Sequence, residues 1–247
     1  MLLARLALQA LFVTALLAAN VDHYGLPACD APRQELADRV YFVLCHDASR
    51  KVPAWVAYEL TPEHLSAAQP SPRTSHFRAD RELGHPGARD SDYRNSGYAR
   101  GHMATAADFL WSAPARRATF LLSNAVPQRQ DVNAGLWAQL ERHVRRLAAL
   151  AETVYVISGP LFEGPPEFIG AGQVAVPTHF FKVVLAEQQG RRTLFAAIVP
   201  NESTQGKPLG QFLTTVQEVE RRTGLDFFAG MGSAEQRLLE SCTPAVP

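Results

Sequence analysis

Apolar residues along this chain recur with two distinct periods. Between residues 133 and 151, Leu136, Leu140, Val144 and Leu147 return every three or four positions, with Arg142, Arg145 and Arg146 largely opposite. That spacing predicts an amphipathic helix. A second helix is predicted over 209–222, with Phe212, Val216 and Val219 inward and Gly224 ending it. Short apolar runs at 40–45, 54–60, 154–159, 180–185 and 193–199 predict strands. The polar, proline-terminated segment 46–53 reads as a hairpin connection, and Gln188-Gln189-Gly190 as a turn. Thr61-Pro62-Glu63 looks like a helix cap followed by proline in the first turn. Short helices are predicted over 105–111 and from 115 to 122. Between 69 and 96 no period survives, and so long a loop inside a compact domain is usually functional or mobile. No repeat, linker or low-complexity tract divides the chain. The expectation is one α+β domain, a central antiparallel sheet flanked by helices.

The start of the chain follows other rules. Arg5, a mostly apolar run over 6–17 and the small residues after it predict a secretory signal peptide over 1–19. An irregular arm over 20–34, with Pro27 and Pro32, and a single domain over 35–247 follow. No later run is long enough to span a bilayer, so the expected location is periplasmic or secreted, without stable membrane association after cleavage. Export permits disulfides. Of the three cysteines, Cys45 lies in an apolar run and reads as a buried free thiol, while Cys29 and Cys242 flank the domain and are expected to pair.

Charge changes the picture only locally. Lys+Arg and Asp+Glu both number 24 in 247 residues, so no global field points to nucleic acid. Arg73, Arg78, Arg81, Arg89, Arg94 and Arg100 nevertheless crowd one stretch that has no lysine. Asp80, Glu82, Asp90 and Asp92 share it, so a solvated mixed-charge surface and a phosphate-binding surface both fit.

The candidate chemistry lies just beyond. Tyr98-Ala99-Arg100-Gly101-His102 reads as a histidine in a tight glycine turn, followed by Ser123-Asn124 and then by Asn133 and Glu141 on the predicted helix. Hydrolysing a phosphodiester requires an activated water, a cation facing the developing charge and donors for the phosphate. A neutral imidazole takes a proton near neutral pH. Magnesium prefers oxygen and keeps several waters, so one amide oxygen from Asn133 is a sufficient anchor. Glu141, slightly over two turns later, projects from a neighbouring sector of the same face. Taken singly, Asn133 reads as a helix cap and Glu141 as a surface acid.

Taken together these residues resemble the DNA/RNA non-specific endonuclease family, the ββα-metal nucleases (endonuclease G-like). The segments Trp55-Val56-Ala57-Tyr58-Glu59-Leu60, Ser123-Asn124, Pro127-Gln128, Gly159-Pro160-Leu161-Phe162, Val176-Pro177-Thr178-His179-Phe180-Phe181-Lys182-Val183 and Val199-Pro200-Asn201 extend the resemblance over most of the mature chain. The resemblance implies a ββα-metal site in which His102, from a β-hairpin, is the general base. It implies Asn133, from the crossing helix, as the single protein ligand of Mg2+, for which Mn2+ may substitute. Glu141 would order the metal's waters, Arg100 would hold phosphate and Asn124 would support the site. It further implies DNA and RNA as substrates and a homodimer as the assembly. One departure is Ala99, where the family motif carries aspartate. Arg73 and Arg78 are the candidates for a second phosphate-binding arginine. The competing expectations are a nucleic-acid- or partner-binding protein on the same fold, catalytically weakened at Ala99, and a metal-dependent phosphodiesterase for small molecules.

Overall fold

The structure, a computed structural model, describes residues 21, 23–69 and 76–242; the signal peptide expected over 1–19 lies outside the described residues. In chain order the strands are β1 (Gln34–Asp38), β2 (Val43–Asp47), β3 (Val52–Leu60), β4 (Tyr98–His102), β5 (Ala125–Arg129), β6 (Thr153–Leu161), β7 (Glu167–Ile169), β8 (Val174–Val176), β9 (His179–Gln188), β10 (Arg191–Pro200) and β11 (Leu213–Thr214). Seven of them form one antiparallel sheet in the order β1-β2-β3-β6-β9-β10-β11, while β4-β5 and β7-β8 are separate pairs.

The central strands are buried on both faces, which is why their sequences read as nearly unbroken apolar runs. Alternation sorts them. Val56, Tyr58, Val154, Val156, Phe180 and Val184 point into one core. Trp55, Ala57, Tyr155, Ile157, Phe181, Val183 and Leu185 point into the other. The helices are α1 (Pro62–Ser66), α2 (Asp90–Tyr93), α3 (Ala113–Thr119), α4 (Gln130–Val132), α5 (Ala138–Ala148), α6 (Val216–Thr223) and α7 (Ser233–Glu240). Leu140, Val144 and Ala148 of α5 cover the first face. Val21 and Tyr24 of the arm, Val216 and Val219 of α6, and Phe227, Phe228 and Met231 cover the second.

The helix expected over 105–111 is a 3-10 turn (Ala106–Phe109), that expected from 115 to 122 is α3, and both longer helices also differ from expectation. The chain over 209–222 is broken into a 3-10 turn (Leu209–Phe212), β11 and α6. Leu213 and Thr214 are captured by the edge of β10, opposite Ala197 and Ala196, and Thr215 then caps α6 by accepting from the Glu218 amide at 3.1 Å. Gly224 ends α6 at φ 73°, as the periodicity implied. The helix expected from residue 133 begins at Gln130 with α4, and the stretch between α4 and α5, Asn133–Trp137, is a π-turn in which Gly135 leaves helical geometry (φ −97°, ψ −106°). At the other end of the first hairpin, strand β2 starts at Val43 rather than residue 40, because Val40 sits at φ 69° in the turn after β1.

The cysteine pairing is corrected outright. Cys29 bonds Cys45, with their Cα atoms 5.6 Å apart, and Cys242 is free and exposed. Alternation in β2 turns Cys45 onto the second face, where the arm passes and where the Trp55 indole donates to the Ala28 carbonyl at 3.0 Å. The bridge closes a span of 16 residues. Peptide mapping without reductant is expected to yield Cys29–Cys45 and an alkylatable Cys242. The Cys29→Ser/Cys45→Ser variant should lose about 3 kcal/mol in denaturant unfolding, as for a loop of this length. An unchanged midpoint would mean that the bridge constrains nothing.

Candidate active site

The strand that carries the histidine is placed by glycine. Strands β4 and β5 pair antiparallel, with His102 opposite Ala125, Gly101 opposite Val126 and Ala99 opposite Gln128. A Cβ on Gly101 would lie 2.2 Å from Oε1 and 2.7 Å from Cβ of Gln128, so only glycine lets the two strands close. His102 therefore sits at the end of a strand, not in a tight glycine turn. Alternation sends Arg100 and His102 to one side, where both meet the Phe77 ring. Ala99 and Gly101 face the other way, over Gln128, a fully buried amide whose Oε1 and Nε2 find no partner. The alanine departure thus lies on the face of the strand that His102 does not use.

Phe77 and Phe120 flank the imidazole, each with its ring centroid 4.8 Å away. They are set by a short strap: the Arg78 amide donates to the Phe120 carbonyl at 3.0 Å, and the Leu122 amide to the Arg78 carbonyl at 2.9 Å. Asp80 fastens the strap by accepting from Arg39 Nε (2.8 Å) and Ser123 Oγ (2.6 Å). Nε2 of His102 is buried without a partner. Burial, and next the charge of Arg116, lower its pKa to about 4, so the ring is neutral at neutral pH.

Arg100 is held by Asp90, to which its Nη2 donates at 2.7 Å (Oδ1) and 3.1 Å (carbonyl). Its guanidinium lies 5.3 Å over Tyr93, and Nε is buried without a partner. Arg116, on α3, escaped the sequence reading: its guanidinium packs 5.3 Å over Phe120 and acts on the same imidazole. Of the earlier arginine candidates, Arg78 donates to the Arg117 carbonyl at 2.7 Å, and Arg73 lies outside the described residues.

Asn124 is fully buried and fully engaged. Its Oδ1 accepts from the Ala104 amide (2.8 Å), and its Nδ2 donates to the carbonyls of Ala104 (2.9 Å) and Thr119 (2.8 Å). It fixes the backbone on both sides of the histidine wall and has no donor left for a substrate. Asn133, half-buried in the π-turn, hydrogen-bonds through its side chain to no described residue. The same turn brings the Trp137 indole to the His102 carbonyl at 3.3 Å, tying the helix to β4.

Glu141 is not a surface acid. Half-buried on α5, it is raised by burial to about 7, and Lys182 opposes that rise. Lys182 is completely buried on β9, directly opposite Ser158 on β6. Its Nζ donates to Ser158 Oγ at 2.6 Å and lies 4.6 Å from the Trp137 ring centre. Asp108 joins this cluster, accepting from Arg145 Nη1 at 2.7 Å and from Tyr58 Oη at 2.7 Å. The sequence does carry a signal for Lys182, a single charge inside the apolar run 180–185.

The sequence model of the DNA/RNA non-specific endonuclease family matches residues 25–234. Mitochondrial endonuclease G of Homo sapiens is 38% identical over 217 residues, 83% of this chain and 71% of that protein. The mitochondrial nuclease EXOG of Danio rerio is 34% identical and covers 90% and 68%; nuclease C1 of Cunninghamella echinulata is 35% identical and covers 79% and 83%. Among solved structures, an EndoG/EndoGI complex that describes the mechanism of EndoG inhibition matches with a TM-score of 0.80 at 34% identity, over 89% of this chain and 94% of that one.

The buried cation has a consequence that stability alone can test. Lys182→Met removes the positive charge facing Glu141 and leaves the two carboxylates to Arg145. The expected loss is roughly 3–5 kcal/mol in denaturant unfolding, the cost of breaking a buried charged cluster. A loss below about 1 kcal/mol would show that Lys182 and Glu141 are not coupled.

Proposed function

This chain belongs to the DNA/RNA non-specific endonuclease family and is a nuclease, and we propose that it is a magnesium-dependent endonuclease with His102 as its general base. The observation that carries this reading is the partnerless Nε2 of a neutral, buried imidazole, with Arg116 acting on it and Arg100 over the Phe77 ring that flanks it. That nitrogen takes the proton from the attacking water, which then adds to phosphorus as the phosphodiester P–O bond breaks. Arg100 and Arg116 approach the imidazole by way of its two flanking rings and offset the phosphate charge. Asn124 and the Asp80 strap hold the histidine wall still while this happens.

The donors present suit a hard cation. Asn133 offers an amide oxygen without a hydrogen-bond partner among the described residues, and Glu141 a carboxylate held by Lys182 and Arg145 charges. Asn133 would be the protein ligand and Glu141 would orient the ion's waters, with manganese an acceptable substitute. When bound, the ion supplies positive charge to the reacting phosphate and leaving oxygen. Both DNA and RNA fit as substrates, since contacts to phosphate carry no sequence information. The Ala99 departure does not favour the weakened-binder reading, because position 99 lies on the face turned away from His102. We place the protein in an oxidising compartment, periplasmic or extracellular, a reading supported by the Cys29–Cys45 bridge; N-terminal sequencing of the mature protein tests it against the organellar location in the relatives' names.

Plasmid nicking with and without magnesium tests the whole reading. His102→Ala should lower turnover by about 10²–10⁴-fold in a folded protein. The acid limb of the parent's kcat/KM should fall below the ordinary histidine value near 6.5, because the folded state resists protonation down to about 4. The same shift means that His102 contributes a stability loss that begins as pH drops below about 6.5 and is complete near 4. Equal activity of parent and variant would remove His102 from the base role.

Asn133→Ala separates the metal from the base. Its activity should fall and be partly recovered at high magnesium, with little change in DNA binding measured in EDTA. A magnesium titration that overlays the parent's would dismiss Asn133 as the ligand.

A further inference from the structure

Away from the nuclease site, α6, the segment after it and α7 bring three carboxylates together. One ligand oxygen from each of Glu220, Asp226 and Glu240 lies within 4.8 Å of the others, the one such trio of acidic, histidine or cysteine ligands among the described residues. Glu240 is 5% exposed, and its Oε1 is buried with no hydrogen-bond partner. A carboxylate that has left water normally finds a cation or several donors. Here the neighbouring charges are negative. Glu240 faces Glu220 and Asp226, with the Gln236 amide as its one favourable partner, and burial raises it to about 7. Arg221 and Arg222 of α6 are already engaged by Glu218 and Glu163.

We infer that Glu220, Asp226 and Glu240 form a structural calcium site that clamps α7 to α6 on the second face of the sheet. Oxygens on opposite sides of a calcium ion are about 4.6–5.2 Å apart, those across magnesium only about 4.0–4.2 Å. All three oxygens lie within the span of the calcium sphere, and three carboxylates completed by water suit its large, flexible shell better than the strict, water-rich octahedron of magnesium. Three carboxylates provide up to six oxygens, and water completes the shell. The positions are already braced: Glu220 Oε1 accepts from the Phe227 amide at 2.9 Å, and Asp226 Oδ1 from Gln236 Nε2 at 2.8 Å. Gln236 also donates to the Phe227 carbonyl at 2.9 Å, so the ion would secure the segment carrying Phe227 and Phe228 into the core.

Thermal unfolding of the full chain at pH 8, in EDTA and in calcium, tests this without reference to nuclease activity. At a hundredfold excess over Kd the parent should gain roughly 5–10 °C. Glu240→Gln and Asp226→Asn should lose most of that gain, and Glu240→Gln in EDTA should be at least as stable as the parent, since one crowded charge is gone. Asp226 is exposed, so its variant decides the matter even if Glu240→Gln folds poorly. Asn133→Ala should keep the full gain, and magnesium should give a smaller one. No gain in the parent, an undiminished gain in Asp226→Asn, or a gain lost in Asn133→Ala would each overturn the assignment.

Discussion

One ammonium group, deep in the central sheet, constrains much of the architecture around the site. Lys182 is on an interior strand with no route to water, and an unpaired charge there would be costly enough to deprotonate or unfold the site. Burial does pull it down to about 8, but Glu141 and Asp108 hold it up. For those carboxylates to reach it, α5 must lie across the first face and the 3-10 turn at Ala106–Phe109 must dip toward Tyr58. Once α5 is placed, the π-turn before it presents Asn133, and Trp137 reaches both the Lys182 ammonium and the His102 carbonyl. The charge satisfied in the core and the geometry offered to a substrate are therefore set by the same contacts.

The walls of the site are irregular backbone, and irregular backbone must find hydrogen bonds outside the sheet ladder. Side-chain amides provide them. Asn124 joins Ala104 to Thr119, and Asn201 accepts from the Arg129 amide at 2.9 Å while donating to Pro177 (2.9 Å) and Pro127 (3.2 Å). Each knot draws together segments far apart in sequence. Gln128 is the exception: it fills the space that Gly101 leaves, and its amide stays unsatisfied opposite Ala99. An aspartate at position 99 would face that amide, which gives the family's preference there a bracing rather than a catalytic reason.

Electrostatics divide the site into two halves. Around His102, burial among apolar rings and the charge of Arg116 keep the imidazole neutral. Around Glu141, burial and Asp108 favour the protonated acid while Lys182 and Arg145 favour the carboxylate, so the group is poised near neutrality. Trp137 is the physical link between the halves, through its indole hydrogen on one side and its ring face on the other.

Much was legible in the sequence because it depends on neighbours along the chain. The doubly buried strands showed as apolar runs, α5 as a 3.6-residue period, and the cap at Thr61 and stop at Gly224 as local chemistry. His102, Asn133 and Glu141 stood out through motif and spacing. What escaped depends on segments that meet only after folding. The pairing of Cys29 with Cys45 follows from which face of β2 the arm crosses; the break in 209–222 follows from capture of Leu213 by the β10 edge. Arg116 reaches His102 by way of Phe120, and Lys182 finds its carboxylates only when α5 lies on the sheet. Periodicity and turn chemistry are written in residues a few positions apart, and the sequence alone determined those features. Partner choice among cysteines and buried charges is a matter of three-dimensional distance and desolvation, which only the tertiary structure decided.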